Sequence, residues 1–166
     1  MIKNLFKPAL LPFTVALCVS LSLVGGGVLL AELLRLAACP LCVIQRMLYL
    51  LLALAAGSGL LLAARPLART IAALAMTAIA AAGAGVAAYQ VWIQRFAPNT
   101  TCGADLPWWE ALVEWAGRLV PILFQPNGLC SDPAWKLLGL SIAEWSLLSF
   151  FGLFLLGLFS LLRKTP

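Results

Sequence analysis

Four long apolar runs constrain this chain more than anything else in it. They cover roughly Ala9–Leu30, Val43–Ala64, Thr70–Trp92 and Ile142–Leu162. Each holds about 21–23 residues and, coiled at about 1.5 Å per residue, reaches roughly 32–34 Å. That length crosses a hydrocarbon core of about 30 Å with a little tilt. In lipid the backbone must satisfy its own hydrogen bonds, so each run is expected to be an α-helix. The polar–apolar alternation of a membrane β-barrel is absent. Composition agrees, with 63% hydrophobic and only 10% charged residues, whereas soluble domains carry about 25% charged residues. The expected fold is an all-α membrane protein. It is a four-transmembrane-helix bundle with a short interfacial helix in its second outer loop, forming a single membrane domain over residues 1–166. No linker or internal repeat divides it.

Charge placement orients the bundle. Lys3 and Lys7 precede the first run, Arg65 and Arg69 sit between the second and third, and Arg163 and Lys164 follow the fourth. That end has six basic residues and no acid, while the other end has five basic residues and all six acids. The positive-inside rule puts the first set, and with it both termini, in the cytoplasm. The outer loops then cover roughly residues 31–42 and 93–141. The net charge of +5 marks membrane ends rather than a surface stripe, which argues against a nucleic-acid partner. All six Trp fall on the outer side or at its boundary, where the headgroup zone favours them. In the long loop Trp108, Leu112, Trp115 and Leu119 recur at helical spacing, with Glu110, Glu114 and Arg118 assigned to the opposite face. This pattern predicts a short helix lying in the interface between Pro107 and Pro121. The alternative is a helix packed on top of the bundle. The third run carries Ala72, Ala73, Ala80, Gly83, Ala84 and Ala87, small residues that let membrane helices approach closely.

Of the five cysteines, Cys18 falls mid-span and is expected to be a small buried apolar residue. The other four, Cys39, Cys42, Cys102 and Cys130, are all in the outer segments, where disulfides form and persist. Two cysteines per loop suggest one disulfide in each, although four thiols allow three pairings. In Cys39-Pro40-Leu41-Cys42, proline suits the first helical position, so Cys39 is the expected N-cap and Cys42 lies in the first turn. Unpaired amide N–H groups there favour an anion, and Arg46 adds a positive charge one turn on. Both stabilise a Cys42 thiolate and make it a good leaving group in exchange. The pair therefore reads as redox-active rather than as an inert bridge. An arginine at the mouth of a membrane helix is functional by default, here as a holder for the polar group of a lipid-soluble ligand. The other reading of Arg46 is a side chain snorkelling to the surface.

Two further readings fail on spacing. Zinc ribbons separate their cysteine pairs by about 15–20 residues, but 59 residues separate Cys42 from Cys102, 27 separate Cys102 from Cys130, and the chain has no His. No metal is expected. Leu36-Ala37-Ala38-Cys39 imitates a lipoprotein cleavage box, yet the preceding apolar run exceeds a signal peptide's roughly 7–15 residues.

The order of these features resembles the DsbB family of bacterial disulfide bond formation proteins. The resemblance rests on Cys39-Pro40-Leu41-Cys42-Val43-Ile44-Gln45-Arg46, on the basic turn between two spans, and on Cys102 and Cys130 in a long outer loop. The stretch from Cys130 through Trp135 to Ile142, with Trp145-Ser146-Leu147 after it, is also similar. The resemblance covers nearly the whole chain. It implies a quinone-dependent thiol–disulfide oxidoreductase of the bacterial inner membrane that reoxidises a periplasmic DsbA-like thiol oxidase and passes the electrons to membrane quinone, either ubiquinone or menaquinone. It implies that Cys102 forms the mixed disulfide with the partner, that Cys130 relays the exchange to Cys39, that Cys42 is released as the thiolate facing the quinone, and that Arg46 helps bind it. Some family members carry a His near the outer end of the third span, which this chain lacks. Gln90 and Gln45 lie near that level and offer amides to a quinone carbonyl. The acidic residue often found just before the last cysteine is also absent. The alternatives are an oxidase serving a dedicated partner and a non-enzymatic membrane subunit with two structural disulfides.

Overall fold

Prolines open the first three long helices. Pro12 lies in the first turn of α1 (Leu11–Leu34), and Pro40 and Pro66 begin α2 (Pro40–Leu61) and α3 (Pro66–Phe96). There the fixed φ is preorganised for a helix and the missing N–H costs nothing. The computed structural model describes residues 9–97, 108–131 and 135–162. The second outer segment holds α4 (Trp108–Leu119), α5 (Pro121–Phe124) and a two-stranded hairpin, β1 (Lys136–Leu137) with β2 (Leu140–Ser141), and the described chain ends with α6 (Ile142–Leu162). Helices α1, α2, α3 and α6 are each long and apolar enough to cross a membrane.

Helix α6 matches its apolar run, α1 and α3 extend past theirs, and α2 is shifted toward its N-terminus. The second starts at Pro40 rather than Val43, and the third spans 31 residues from Pro66 to Phe96. At about 1.5 Å per residue the third measures about 46 Å, longer than a hydrocarbon core of about 30 Å. Its last turns therefore carry Gln90, Gln94 and Arg95 beyond the most apolar zone. Capping and hydrogen bonding, rather than hydrophobicity, decide where a helix stops.

Helix α3 packs along α2 and α6, and α1 packs along α2, whereas α1 and α6 meet sparsely. The core joins Phe13, Leu52, Met76 and Phe150, all buried. Gly83 allows the closest approach: a Cβ there would overlap the Phe150 ring, which is itself stacked on Tyr49 with centroids 4.0 Å apart. Tyr49 Oη donates to the Ser146 carbonyl at 3.2 Å and shares a 3.0 Å hydrogen bond with its hydroxyl, tying α2 to α6. Leu54, Leu61, Phe151 and Phe159 point outward, as a lipid-facing surface requires. Cys18, expected to be buried, is also exposed on this surface, because its position on α1 falls outside the stripe of Phe13, Ala16, Ser20 and Val24 that packs inward.

Helix α4 forms where expected. Its stripe of Trp108, Leu112, Trp115 and Leu119 faces away from the bundle, while Val113, Ala116 and Gly117 turn inward. The helix thus presents an apolar face outward and also packs on α2 and α5. Glu114 and Arg118 are exposed as expected, but Glu110 is buried, and its Oε1 has no hydrogen-bond partner among the described residues. At helical period Glu110 shares the narrow stripe of Val113 and Gly117, not the solvated face. Pro107 lies outside the described residues, and Pro121, expected simply to end the helix, starts α5.

The hairpin was not anticipated. It turns through Leu138 and Gly139, both at positive φ, as a two-residue hairpin turn of matching twist requires. Trp145 Nε1 donates to the Leu137 carbonyl, and Ser141 Oγ donates to Gln94 Oε1. Glu144 accepts from Ser141 N and pairs with Arg95. The hairpin is thereby fastened to the loop ends of both α3 and α6.

Candidate functional site

Cys39 caps α2. Its backbone is extended (φ −82, ψ 159), and its Sγ accepts a hydrogen bond from Cys42 N at 3.3 Å. The cap brings the two sulfurs to 2.8 Å from each other, with Cys42 in the first helical turn as the Cys-Pro-Leu-Cys spacing predicts. Cys130 is buried in one apolar cluster with Cys39, Leu41 and Ile93, closed over by Trp109. The Cys39 thiol is held far above its ordinary range, first by its hydrogen bond with Cys130, then by that with Cys42 and by burial. A sulfur that resists ionisation is a poor leaving group, so a nucleophile attacking this pair does best at Cys39, expelling Cys42. Cys102 lies outside the described residues.

Two glutamines complete the sulfur environment. Gln90 Nε2 lies 3.2 Å from both Cys39 Sγ and Cys42 Sγ and donates to each. Gln45 Nε2 donates to Gln90 Oε1 at 2.7 Å. Both glutamines are almost wholly buried, so the Gln90 amide replaces hydration that the sulfurs have lost, and Gln45 holds that amide in place. Arg46, one turn beyond Cys42, reaches across to α5 and donates from Nη1 to the Leu123 carbonyl at 3.0 Å.

Because α1 and α6 meet sparsely, a cavity of about 360 Å³ opens between them. This lies within the range of small-molecule sites, about 300–1,000 Å³. Gly26, Leu30 and Leu36 supply one wall, Ala143 and Ser146 the other, and Trp135 and Trp145 also line it. Cys39, Cys42, Gln45, Arg46 and Gln90 all border it. The Cys42 side chain therefore adjoins an internal space shared with Arg46, as a ligand-holding role for that arginine requires. Sequence reasoning passed over Tyr49, Gln94 and Ser146, which also border the cavity. For Tyr49 a signal was present, since it lies seven residues after Cys42 and three after Arg46, on the same helix face. Ser146 gives no such signal, because only the packing of α6 against α2 brings it there.

The two loops meet immediately beside the sulfurs. Asn127 N and Gly128 N donate to the Ala38 carbonyl at 2.9 and 3.0 Å, and Ala38 N donates to Asn127 Oδ1 at 3.0 Å.

Comparison with known proteins agrees with this geometry. The family model for disulfide bond formation protein DsbB matches residues 10–160. Disulfide bond formation protein B of Dechloromonas aromatica is 42% identical over 149 residues, covering 87% of each chain. Disulfide bond formation protein B 1 of Pseudomonas fluorescens is 38% identical over 134 residues, covering 80% of this chain and 77% of that one. The protein B of Aromatoleum aromaticum is 40% identical over 127 residues, 75% of each. With four helices long and apolar enough to cross a membrane and a cysteine pair at the start of the second, the chain belongs to the DsbB family, the disulfide-generating oxidoreductases of bacterial membranes.

Proposed function

We propose that the chain reoxidises a DsbA-like periplasmic dithiol oxidase and passes the electrons to membrane quinone. It would sit in the bacterial inner membrane with both termini in the cytoplasm and the cysteine end in the periplasm, as its basic residues indicate. A thiolate of the partner attacks Cys102 in a Cys102–Cys130 disulfide and displaces Cys130. The partner's second thiol then resolves the mixed disulfide, so the partner loses two electrons and two protons and the loop pair gains them. Cys130 next attacks Cys39 in a Cys39–Cys42 disulfide, and Cys42 leaves as a thiolate. Cys102 resolves the new bond by attacking Cys130, which leaves Cys39 and Cys42 reduced. These exchanges move disulfides without net oxidation of the chain.

One observation carries the reading: Cys42 and Arg46 border the same cavity, one helical turn apart, with Cys39 also at its edge and Cys130 packed against the same cluster as Cys39. A quinone bound there supplies the two-electron acceptor, and either ubiquinone or menaquinone suits that chemistry. The cavity has room for a quinone ring, Arg46 offers it a guanidinium, and the gap between α1 and α6 gives an apolar tail a way out. The chain's residues hold the ring, exclude water and keep the Cys42 sulfur in a donor-rich pocket.

The test is a coupled assay with purified chain, reduced DsbA-like partner and ubiquinone or menaquinone. One quinol should form per partner disulfide. Cys→Ser at position 39, 42, 102 or 130 should abolish turnover, and Cys18→Ser should leave it unchanged. Partner oxidation without quinol, or an active Cys42→Ser chain, would overturn the assignment.

A further inference from the structure

The contact between the two outer segments is specific on both sides. Ala38 uses both its backbone groups on one short stretch: its carbonyl accepts from Asn127 N and Gly128 N, and its N–H donates to the Asn127 side chain. Gly128 fits only because it has no side chain. A Cβ there would lie 2.7 Å from the Ala37 carbonyl oxygen and 2.9 Å from its carbon. Those are backbone atoms that cannot rotate away. The tie lies one residue before Cys39 and two before Cys130. Two residues of chain reach at most about 7 Å, so wherever this contact holds, Cys130 is confined to the neighbourhood of Cys39. The two are buried in the same cluster.

We propose that Asn127 and Gly128 form a releasable clasp that positions Cys130 for attack on Cys39. The hydrogen bond from Ala38 to Asn127 is solvent-exposed, and such bonds exchange with water at little net cost. The clasp can therefore open when Cys130 must return to Cys102. The exchange it serves is balanced. Cys130, having given its proton to solvent, bonds to the sulfur of Cys39. The Cys39–Cys42 bond breaks, Cys42 takes the electron pair as a thiolate, and the number of disulfides is unchanged. Asn127 and Gly128 touch neither sulfur. They act by raising the effective concentration of one thiol at the other.

The proposal rests on the relay described above, but its test uses neither quinone nor partner. In a full-length Cys42→Ser, Cys102→Ser chain, the Cys39–Cys130 disulfide is equilibrated with glutathione buffers in detergent and quantified by alkylation and mass spectrometry. Gly128→Val is expected to lower the effective concentration at least tenfold, and Asn127→Ala several-fold. Asn127→Asp, which keeps an oxygen for Ala38 N, should restore most of the loss. The same substitutions in a Cys102→Ser, Cys130→Ser chain should leave the Cys39–Cys42 equilibrium unchanged, which separates the clasp from general misfolding. Values within twofold of the parent for both Gly128→Val and Asn127→Ala would overturn the clasp, as would an equal fall in the Cys39–Cys42 equilibrium. Failure of quinol formation would sink the electron route and leave this measurement standing.

Discussion

Gln45 donates to Gln90 at 2.7 Å, and Gln90 in turn spends its amide nitrogen on the sulfurs of both Cys39 and Cys42. From the sequence, the pair offers amides to a quinone carbonyl. Gln90 donates to the cysteines and Gln45 to Gln90, while both side chains border the cavity. Gln90→Leu removes the donor common to both sulfurs. A buried hydrogen bond to a charged group contributes about 1.5–3 kcal/mol, so turnover should fall roughly tenfold to a hundredfold. Gln45→Leu only loosens Gln90 and should cost less. Because the residues act in series, the double variant should fall short of the product of the single effects. Initial rates of partner oxidation at saturating quinone check both expectations.

Arg46 reaches the Leu123 carbonyl while bordering the cavity, so its removal should weaken ligand binding more than it slows chemistry. Arg46→Met is expected to raise the KM for quinone by about tenfold or more, with a smaller change in kcat, which is how a lost ground-state contact behaves. Arg46→Lys keeps a charge but not the fork and should be intermediate. Steady-state kinetics across a quinone titration separate KM from kcat.

Cys39 should be the slowest of the reduced thiols near the site to react with iodoacetamide. The thiolate is the reactive species, and hydrogen bonding to Cys130, then to Cys42, together with burial, holds the Cys39 thiol well above its ordinary range. Raising pH through the ordinary thiol range should therefore leave Cys39 largely protonated and unmodified. Cys130→Ala removes the largest cause of the shift, so Cys39 should be alkylated faster at the same pH. Time-resolved alkylation of the fully reduced chain, mapped by mass spectrometry, reads this directly.

Gly83 and Gly85 offer a matched pair for stability. A side chain at Gly83 would overlap the Phe150 ring, whereas one at Gly85 meets nothing within 4 Å. Gly83→Val should destabilise the bundle by about 1–3 kcal/mol, the usual cost of overpacking, while Gly85→Ala should be near neutral. Thermal unfolding in detergent, followed through Trp fluorescence, compares the two.

The four spans, the α4 helix and the capped Cys39–Cys42 pair were all legible in the sequence, because each follows from local rules. Lipid thickness sets the length of an apolar run, proline marks a first turn, and helical spacing sets the outward stripe of Trp108, Leu112, Trp115 and Leu119. What escaped depends on contacts between distant parts of the chain. The Leu138-Gly139 turn lies in a hairpin only two residues long on each side, too short for periodicity to reveal. The partnership of Gln90 with two sulfurs 48 and 51 positions away requires α3 to lie along α2, which no spacing encodes. Helical spacing puts Glu110 with Glu114 and Arg118 on the face opposite the Trp stripe, yet Glu110 is buried by the direction in which α4 docks. Cys18 was assigned to the interior by its chemistry, a habit of soluble proteins that loses force where the surroundings are hydrocarbon.

The sparse meeting of α1 and α6 leaves the cavity bordered by helices that face lipid. A ligand arriving through that gap is drawn from a two-dimensional reservoir, so its availability is a mole fraction among lipids rather than a molarity in buffer. Apparent affinities measured in micelles will then scale with detergent concentration. Acyl-chain packing in the native bilayer becomes one of the variables that set how often the site is filled.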